Sequence, residues 1–211
     1  NGGLITFEGP EGAGKTTQMR LLQRWLTAHG RECLVTREPG GTALGERLRR
    51  ILKRHRGDQP LSAEAELLLF AAARAQHVRE LIAPAVARGA IVLCDRFSDS
   101  TLAYQGFARG LDRAWIRRLN DFAVGSCRPR LTILLDLPPE EGARRAGRRS
   151  RGSRADRFEA EGRAFHRRVR NGFLELARAE PARIKVVSAA RPRPTVQQQI
   201  QELVSDAFGR I

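Results

Sequence analysis

The stretch Gly9-Pro10-Glu11-Gly12-Ala13-Gly14-Lys15-Thr16 satisfies every fixed position of the pattern GxxxxGK[ST]. Glycines at these positions let the backbone bend so that successive N–H groups point at phosphate oxygens. The start of the following helix adds positive potential at the same spot. Lys15 then reaches the β and γ phosphates of a nucleoside triphosphate, and the Thr16 hydroxyl joins the shell of a magnesium ion. The flanks fit this reading. Leu4-Ile5-Thr6-Phe7-Glu8 is a short apolar run that predicts a buried parallel strand. From Thr16 to His29 the spacing places Met19, Leu22 and Leu26 on one helical face, and Gly30 supplies a stop. A chance glycine-rich turn would not carry the strand, the helix and all fixed residues together. The cradle of candidate ATP ligands runs from Gly9 through Pro10, Glu11, Gly12, Ala13, Gly14, Lys15 and Thr16 to Thr17.

Working outward, short apolar strands alternate with helical patterns. Leu34-Val35-Thr36 predicts a second strand, and residues 43–55 a helix with Leu44, Leu48, Ile51 and Leu52 on a stripe. A long helical pattern covers 62–88, capped by Ser62, with Pro84 expected to break or kink it. Strands follow at Ala90–Cys94 and Leu131–Leu135, each ending at an aspartate, Asp95 and Asp136. Residues 111–125, 155–179 and 194–208 read as helices, and Ile184-Lys185-Val186-Val187 as a last strand. The strands lack two-residue alternation, so both sheet faces are covered. The expected fold is α/β: the P-loop NTPase three-layer fold, a central parallel sheet of about five strands with helices on both faces. No linker is long enough to split the 211 residues, so 1–211 reads as a single domain. The one compositional break, 144–157, is dense in Arg, Gly and Ser and reads as a mobile basic lid.

Bulk properties narrow the function. No apolar run of about 18 residues exists, so no membrane partner is expected, and the expected compartment is the cytoplasm. Cys33, Cys94 and Cys127 are odd in number and widely separated, which argues against a disulfide framework or a zinc site. The formal net charge of +15 favours polyanionic partners. Almost all of the excess is arginine, and for the arginines outside the motifs solvated faces are an equally good reading.

Asp95 at a strand end near the cradle is placed to hold magnesium together with Thr16. A solvated aspartate paired with Arg96 is the competing reading. The guanine-reading NKxD motif of GTPases is missing, and the chain is short for an oligomeric motor. Small size, an N-terminal phosphate loop and a late arginine-rich segment point to nucleoside monophosphate kinases.

Four stretches then resemble thymidylate kinase: Phe7–Thr17, Thr36-Arg37-Glu38-Pro39-Gly40-Gly41-Thr42, Leu69–His77 and Asp95–Gly106. A fifth, Asp156-Arg157-Phe158-Glu159, follows the basic segment as in bacterial members. The resemblance covers essentially the whole chain. It implies transfer of phosphate from ATP to dTMP, with magnesium, in a homodimer. It implies that Phe70 stacks on thymine, that Arg74, one helical turn later, donates to a base oxygen, and that Thr101 bonds the thymine edge with Tyr104 and Gln105 nearby. It implies that Arg96 clamps the acceptor phosphate, a task suited to a planar bidentate donor. Glu11 approaches the sugar 3′-hydroxyl, a costly place for a carboxylate unless a hydroxyl, metal or arginine offsets it. Arg37, Glu38 and Pro39 shape the same pocket.

Positions 10–13 hold no basic residue, so the chain resembles the class whose catalytic arginine lies in the lid. Arg151 is the first choice, with Arg149 and Arg154 next; the segment 148–155 is longer than the usual pattern, which leaves these alternatives open. Two rivals remain. One is a kinase for another nucleoside monophosphate or a deoxynucleoside. The other is a basic ATP-dependent switch on nucleic acid, which the charge motivates but no recognition motif supports, so no specific nucleic-acid partner is expected.

Overall fold

The computed structural model describes residues 2–54, 60–149 and 157–209. Five parallel strands form one sheet: β1 (Gly3–Glu8), β2 (Cys33–Arg37), β3 (Ile91–Asp95), β4 (Leu131–Asp136) and β5 (Ile184–Ser188), in the order β2-β3-β1-β4-β5. The central strands are mostly apolar because both of their faces are covered. Ile5, Phe7, Ile91, Leu93, Ile133 and Leu135 are fully buried. Burial of each such side chain contributes about 1.5–3 kcal/mol.

The helices α1 (Lys15–Ala28) and α9 (Arg193–Phe208) close one face. Met19, Leu22 and Leu26 of α1 and Val196, Ile200 and Val204 of α9 join the strands in one core cluster, as the helical spacing predicts. Across the sheet, α8 (Arg163–Ala179) packs Phe165, Val169, Phe173 and Leu176 against Tyr104 and Ile116. Between β2 and β3 lie α2 (Ala43–Arg54) and α3 (Ala63–His77), the latter capped by Ser62, whose hydroxyl accepts from the Ala65 N–H. On α2 only part of the expected stripe is covered: Leu52 is buried, whereas Leu44 and Ile51 face outward.

The structure corrects several sequence expectations. Pro84 does not break its helix. A π-helical turn, Val78–Ile82, precedes it, in which the Ala83 N–H bonds Val78 O, and α4 (Ala83–Ala87) continues beyond. The wider turn accommodates a residue that lacks an N–H and crowds the preceding turn. The segment after β3, to which the sequence assigned no element, is helical: α5 (Ser98–Thr101) runs into a π-helical stretch, Leu102–Ala108. Next comes α6 (Arg113–Val124), capped by Asp112. The basic segment expected from 144 begins inside α7 (Pro139–Arg149). Residues 157–160 are turns, and α8 starts only at Arg163, after Gly162. Residues 150–156, with Arg151 and Arg154, lie outside the described residues, as does the Arg149 side chain.

Among the described residues, no helix is long and apolar enough to cross a membrane. Cys94 is buried, Cys33 is half-buried, and burial pushes the Cys33 thiol up to about 12.

Candidate active site

The chain leaves β1 for one edge of the sheet and crosses to the other only after β3, so β1 sits between β3 and β4 at the switch point. Ligands of open α/β sheets bind outside the carboxyl ends of strands at such a point. The phosphate loop lies there. Gly9 has φ 130°, and a Cβ on it would meet Leu135 O at 2.3 Å. Gly12 has φ 75°, and its Cβ would meet Gly142 O at 2.3 Å. No L side chain fits at either position, which explains the glycines by close backbone approach to β4 and α7.

A cavity of about 240 Å³ opens beside the loop. It gathers Glu11, Gly12, Gly14, Lys15, Thr16, Arg37, Glu38, Pro39, Phe70, Arg74, Asp95, Arg96, Thr101, Tyr104 and Gln105, all singled out from sequence. Four cradle residues stand apart from the lining. Ala13 belongs to the core, Thr17 is exposed on α1, and Gly9 and Pro10 contribute through their carbonyls.

Lys15 is buried, and its ammonium donates to Gly9 O (3.2 Å) and Pro10 O (3.0 Å). Burial, reinforced by the Arg96 charge, lowers its pKa, while Asp95, Glu11 and Glu8 oppose that shift. Placing anionic phosphates against it would favour the charged form. The Thr16 hydroxyl donates to Asp95 Oδ2 at 3.1 Å, so the two residues expected to share a metal ion do meet. Among the described residues no group of three or more His, Cys, Asp or Glu side chains could hold a metal. A hydroxyl beside one carboxylate, all oxygen, suits a hard cation that takes its other ligands from phosphate and water.

Arg96 is the hub. It has φ 69°, the positive value among described non-glycine residues. Its guanidinium donates to Glu11 Oε1 at 2.8 Å, Gly9 O at 3.1 Å and Ser100 Oγ at 3.2 Å. It also lies 5.1 Å from the centre of the Tyr104 ring. The arginine thus supplies the offset that the Glu11 carboxylate requires. Burial alone would raise the Glu11 pKa, but Arg96, Lys15 and Lys53 together hold it down to about 2.

The nucleoside end is aromatic. Phe70 faces Phe158 at 5.9 Å between ring centres, and Phe158 lies 5.9 Å from Tyr104. Thr101 Oγ1 is buried without a hydrogen-bond partner, which costs about 1–3 kcal/mol unless a ligand supplies one. Two residues expected in this pocket are more committed than their motif implies. Arg74, 1% exposed, gives Nε and Nη2 to Glu38 Oε2 (2.8 and 2.7 Å) and Nη1 to Asn120 Oδ1 (2.8 Å). Its first task is therefore to neutralise a buried carboxylate, with N–H groups left for the cavity. Gln105, which lines the cavity, donates from Nε2 to Glu66 Oε1 at 2.6 Å. Glu66 also pairs with Arg109 and Arg157. Arg37 lines the rim and turns to Glu46 at 2.9 Å. The Glu38–Pro39 bond is cis.

Arg49, Lys53, Phe97, Ser100 and Phe158 also line the cavity without having been singled out. On α2, Arg49 and Lys53 look like members of a solvated basic face. Phe158 stood in the fifth quoted stretch, where an aromatic next to Arg157 was the available signal.

Comparison with known proteins agrees with this geometry. The family model described as thymidylate kinase matches residues 7–200. The thymidylate kinase of Syntrophus aciditrophicus is 51% identical over 201 residues, covering 93% of this chain and 91% of that protein. That of Synechococcus sp. (strain JA-2-3B'a(2-13)) is 58% identical over 186 residues, covering 88% and 86%. The crystal structure of thymidylate kinase from Ehrlichia chaffeensis superposes with a TM-score of 0.77 at 34% identity, covering 97% of this chain and 99% of that one. The phosphate loop, the aromatic cavity and these matches agree: the chain belongs to the thymidylate kinase family.

Proposed function

We propose that the protein transfers the γ-phosphoryl group of ATP to dTMP, giving dTDP and ADP. The observation that carries the acceptor is the orphaned Thr101 hydroxyl inside a cavity walled by Phe70, Phe158 and Tyr104 and closed at one end by Arg96. An aromatic wall suits a base, the buried Thr101 hydroxyl suits a base edge, and a guanidinium suits a phosphate.

In this reading the Gly9–Thr17 loop cradles the ATP phosphates through its N–H groups and Lys15. Arg96 orients the dTMP phosphate, and Glu11, fixed by Arg96, is within the same site for the sugar hydroxyl. A dTMP phosphate oxygen forms the new bond to the γ-phosphorus as the bond to the β-bridging oxygen breaks and ADP leaves. The attacking oxygen is already anionic, so no strong general base is needed. Catalysis then rests on alignment and positive charge around the migrating group. Thr16 and Asp95 would hold magnesium, which neutralises charge on the ATP phosphates. The catalytic role of Lys15 and Arg96 and the choice of Arg151 in the lid belong to this proposal, as do a single domain spanning 1–211 with its lid at 144–157, a homodimer and a cytoplasmic location.

Thr101→Val keeps the shape and removes the hydroxyl. The expected result is a Michaelis constant for dTMP raised about tenfold with that for ATP unchanged, since an unmade buried hydrogen bond is worth about 1–3 kcal/mol. No change for dTMP would remove Thr101 from the site.

A further inference from the structure

Glu8 is the last residue of β1, lies wholly beneath the cavity, and takes no part in the mechanism above. A carboxyl on a central strand is an expensive choice where its neighbours Ile5 and Phe7 are apolar. Its partners explain it. Oε1 accepts from the Phe97 N–H at 2.8 Å and from the Ser100 N–H at 3.3 Å. Oε2 meets the Ser100 hydroxyl at 2.5 Å. That hydroxyl in turn accepts from Arg96 Nη1 at 3.2 Å.

These contacts converge on one residue from two directions. Arg96 holds a left-handed backbone, which for a non-glycine residue persists only where its surroundings impose it. The end of β1 imposes it: Phe7 O accepts the Arg96 N–H at 2.9 Å, and Glu8 Oε1 accepts the next N–H, that of Phe97. The Ser100 hydroxyl then carries the contact to the guanidinium. The N–H of Arg96 itself, the N–H that follows it, and through Ser100 the tip of the side chain are thus tied to the end of β1. The charged and titratable groups around the Glu8 carboxyl are Asp99 and Arg96, with Lys15, Tyr104 and Cys94 also within electrostatic reach.

We propose that Glu8 is a positioning residue for the acceptor phosphate, setting the Arg96 guanidinium through the Phe97 amide and the Ser100 hydroxyl. This rests on the reading of Arg96 as the clamp for the dTMP phosphate. Glu8 touches no substrate; it fixes where the clamp stands. The arrangement survives either protonation state of the carboxyl. The Ser100 hydroxyl donates to a carboxylate or accepts from a carboxylic acid, and Oε1 accepts both N–H groups in each case. A glutamine reproduces the acid form, with its carbonyl in the place of Oε1 and its amide N–H₂ facing Ser100.

The test compares the wild type with Glu8→Gln, Glu8→Ala and Ser100→Ala. Steady-state kinetics give the Michaelis constants for dTMP and ATP, and calorimetry gives the affinities for dTMP and for thymidine, which lacks the phosphate. Thermal unfolding checks folding. Glu8→Ala and Ser100→Ala should raise the dTMP Michaelis constant about tenfold or more, the effect of about 1.4 kcal/mol. The ATP constant and thymidine affinity should stay within about twofold, and Glu8→Gln should recover most of the loss. Equal losses for dTMP, thymidine and ATP would overturn the proposal in favour of general destabilisation. So would an unchanged dTMP constant in Ser100→Ala, which decides the matter alone if Glu8→Ala fails to fold. Wild-type protein that releases no ADP with dTMP would instead overturn the activity on which the proposal rests.

Discussion

Arg96 and Glu11 face each other at 2.8 Å, so the candidate clamp for the acceptor phosphate is joined directly to the loop that cradles the donor. The pair places one planar cation between the two halves of the reaction. Arg96 also reaches Gly9 O and Ser100 Oγ from the same fork, which an ammonium cannot do. Arg96→Lys should therefore raise the dTMP Michaelis constant by about tenfold to a hundredfold, since hydrogen bonds to charged groups are worth about 1.5–3 kcal/mol. ATP binding should change little. Steady-state kinetics with each substrate varied in turn checks this, and a fully active lysine variant would contradict the clamp.

Phe70 stands half-buried on α3, 5.9 Å from Phe158, with its remaining surface on the cavity. If it carries a stacked base, Phe70→Ala should weaken dTMP by about tenfold to a hundredfold and spare ATP, because stacking on an aromatic is worth about 1–3 kcal/mol per base. Losses of equal size for both substrates would mean that Phe70 only supports the core.

Burial, with the Asp99 charge second, raises the Glu8 carboxyl from 4.5 to about 8. The folded protein therefore holds this proton more tightly than the unfolded chain. The sign follows from linkage: the contribution of Glu8 to stability is complete below about pH 4.5 and is lost as pH rises toward about 8. The melting temperature of the wild type should fall between pH 5 and pH 9 more than that of Glu8→Gln, which cannot titrate. Parallel curves for the two proteins would show that Glu8 does not titrate in this window.

The sheet was legible because each strand is a short apolar run and because the phosphate loop ties one strand to one helix. The helix at Ser98–Thr101 was not. Its residues are poor helix formers, and its start is held by Glu8, distant in sequence, which accepts from the Phe97 and Ser100 N–H groups. The same limit applies to the site. Lys15, Thr16 and Asp95 follow from local pattern and meet as expected. The commitments of Arg74 to Glu38 and Asn120, and of Gln105 to Glu66, depend on partners 36, 46 and 39 residues away, which no local spacing reveals. Arg49 and Lys53 looked like ordinary surface charge until the fold turned α2 toward the cavity.

The central claim is the identity of the acceptor, and the most direct measurement is ADP release from ATP and magnesium with dTMP, dUMP, dCMP, dGMP, dAMP, thymidine or no acceptor. The account predicts a strong signal with dTMP and little with the others. A stronger signal with a different acceptor would keep the phosphate cradle but contradict the pocket of Phe70, Thr101 and Arg96. Release that ignores the acceptor would contradict the transfer itself.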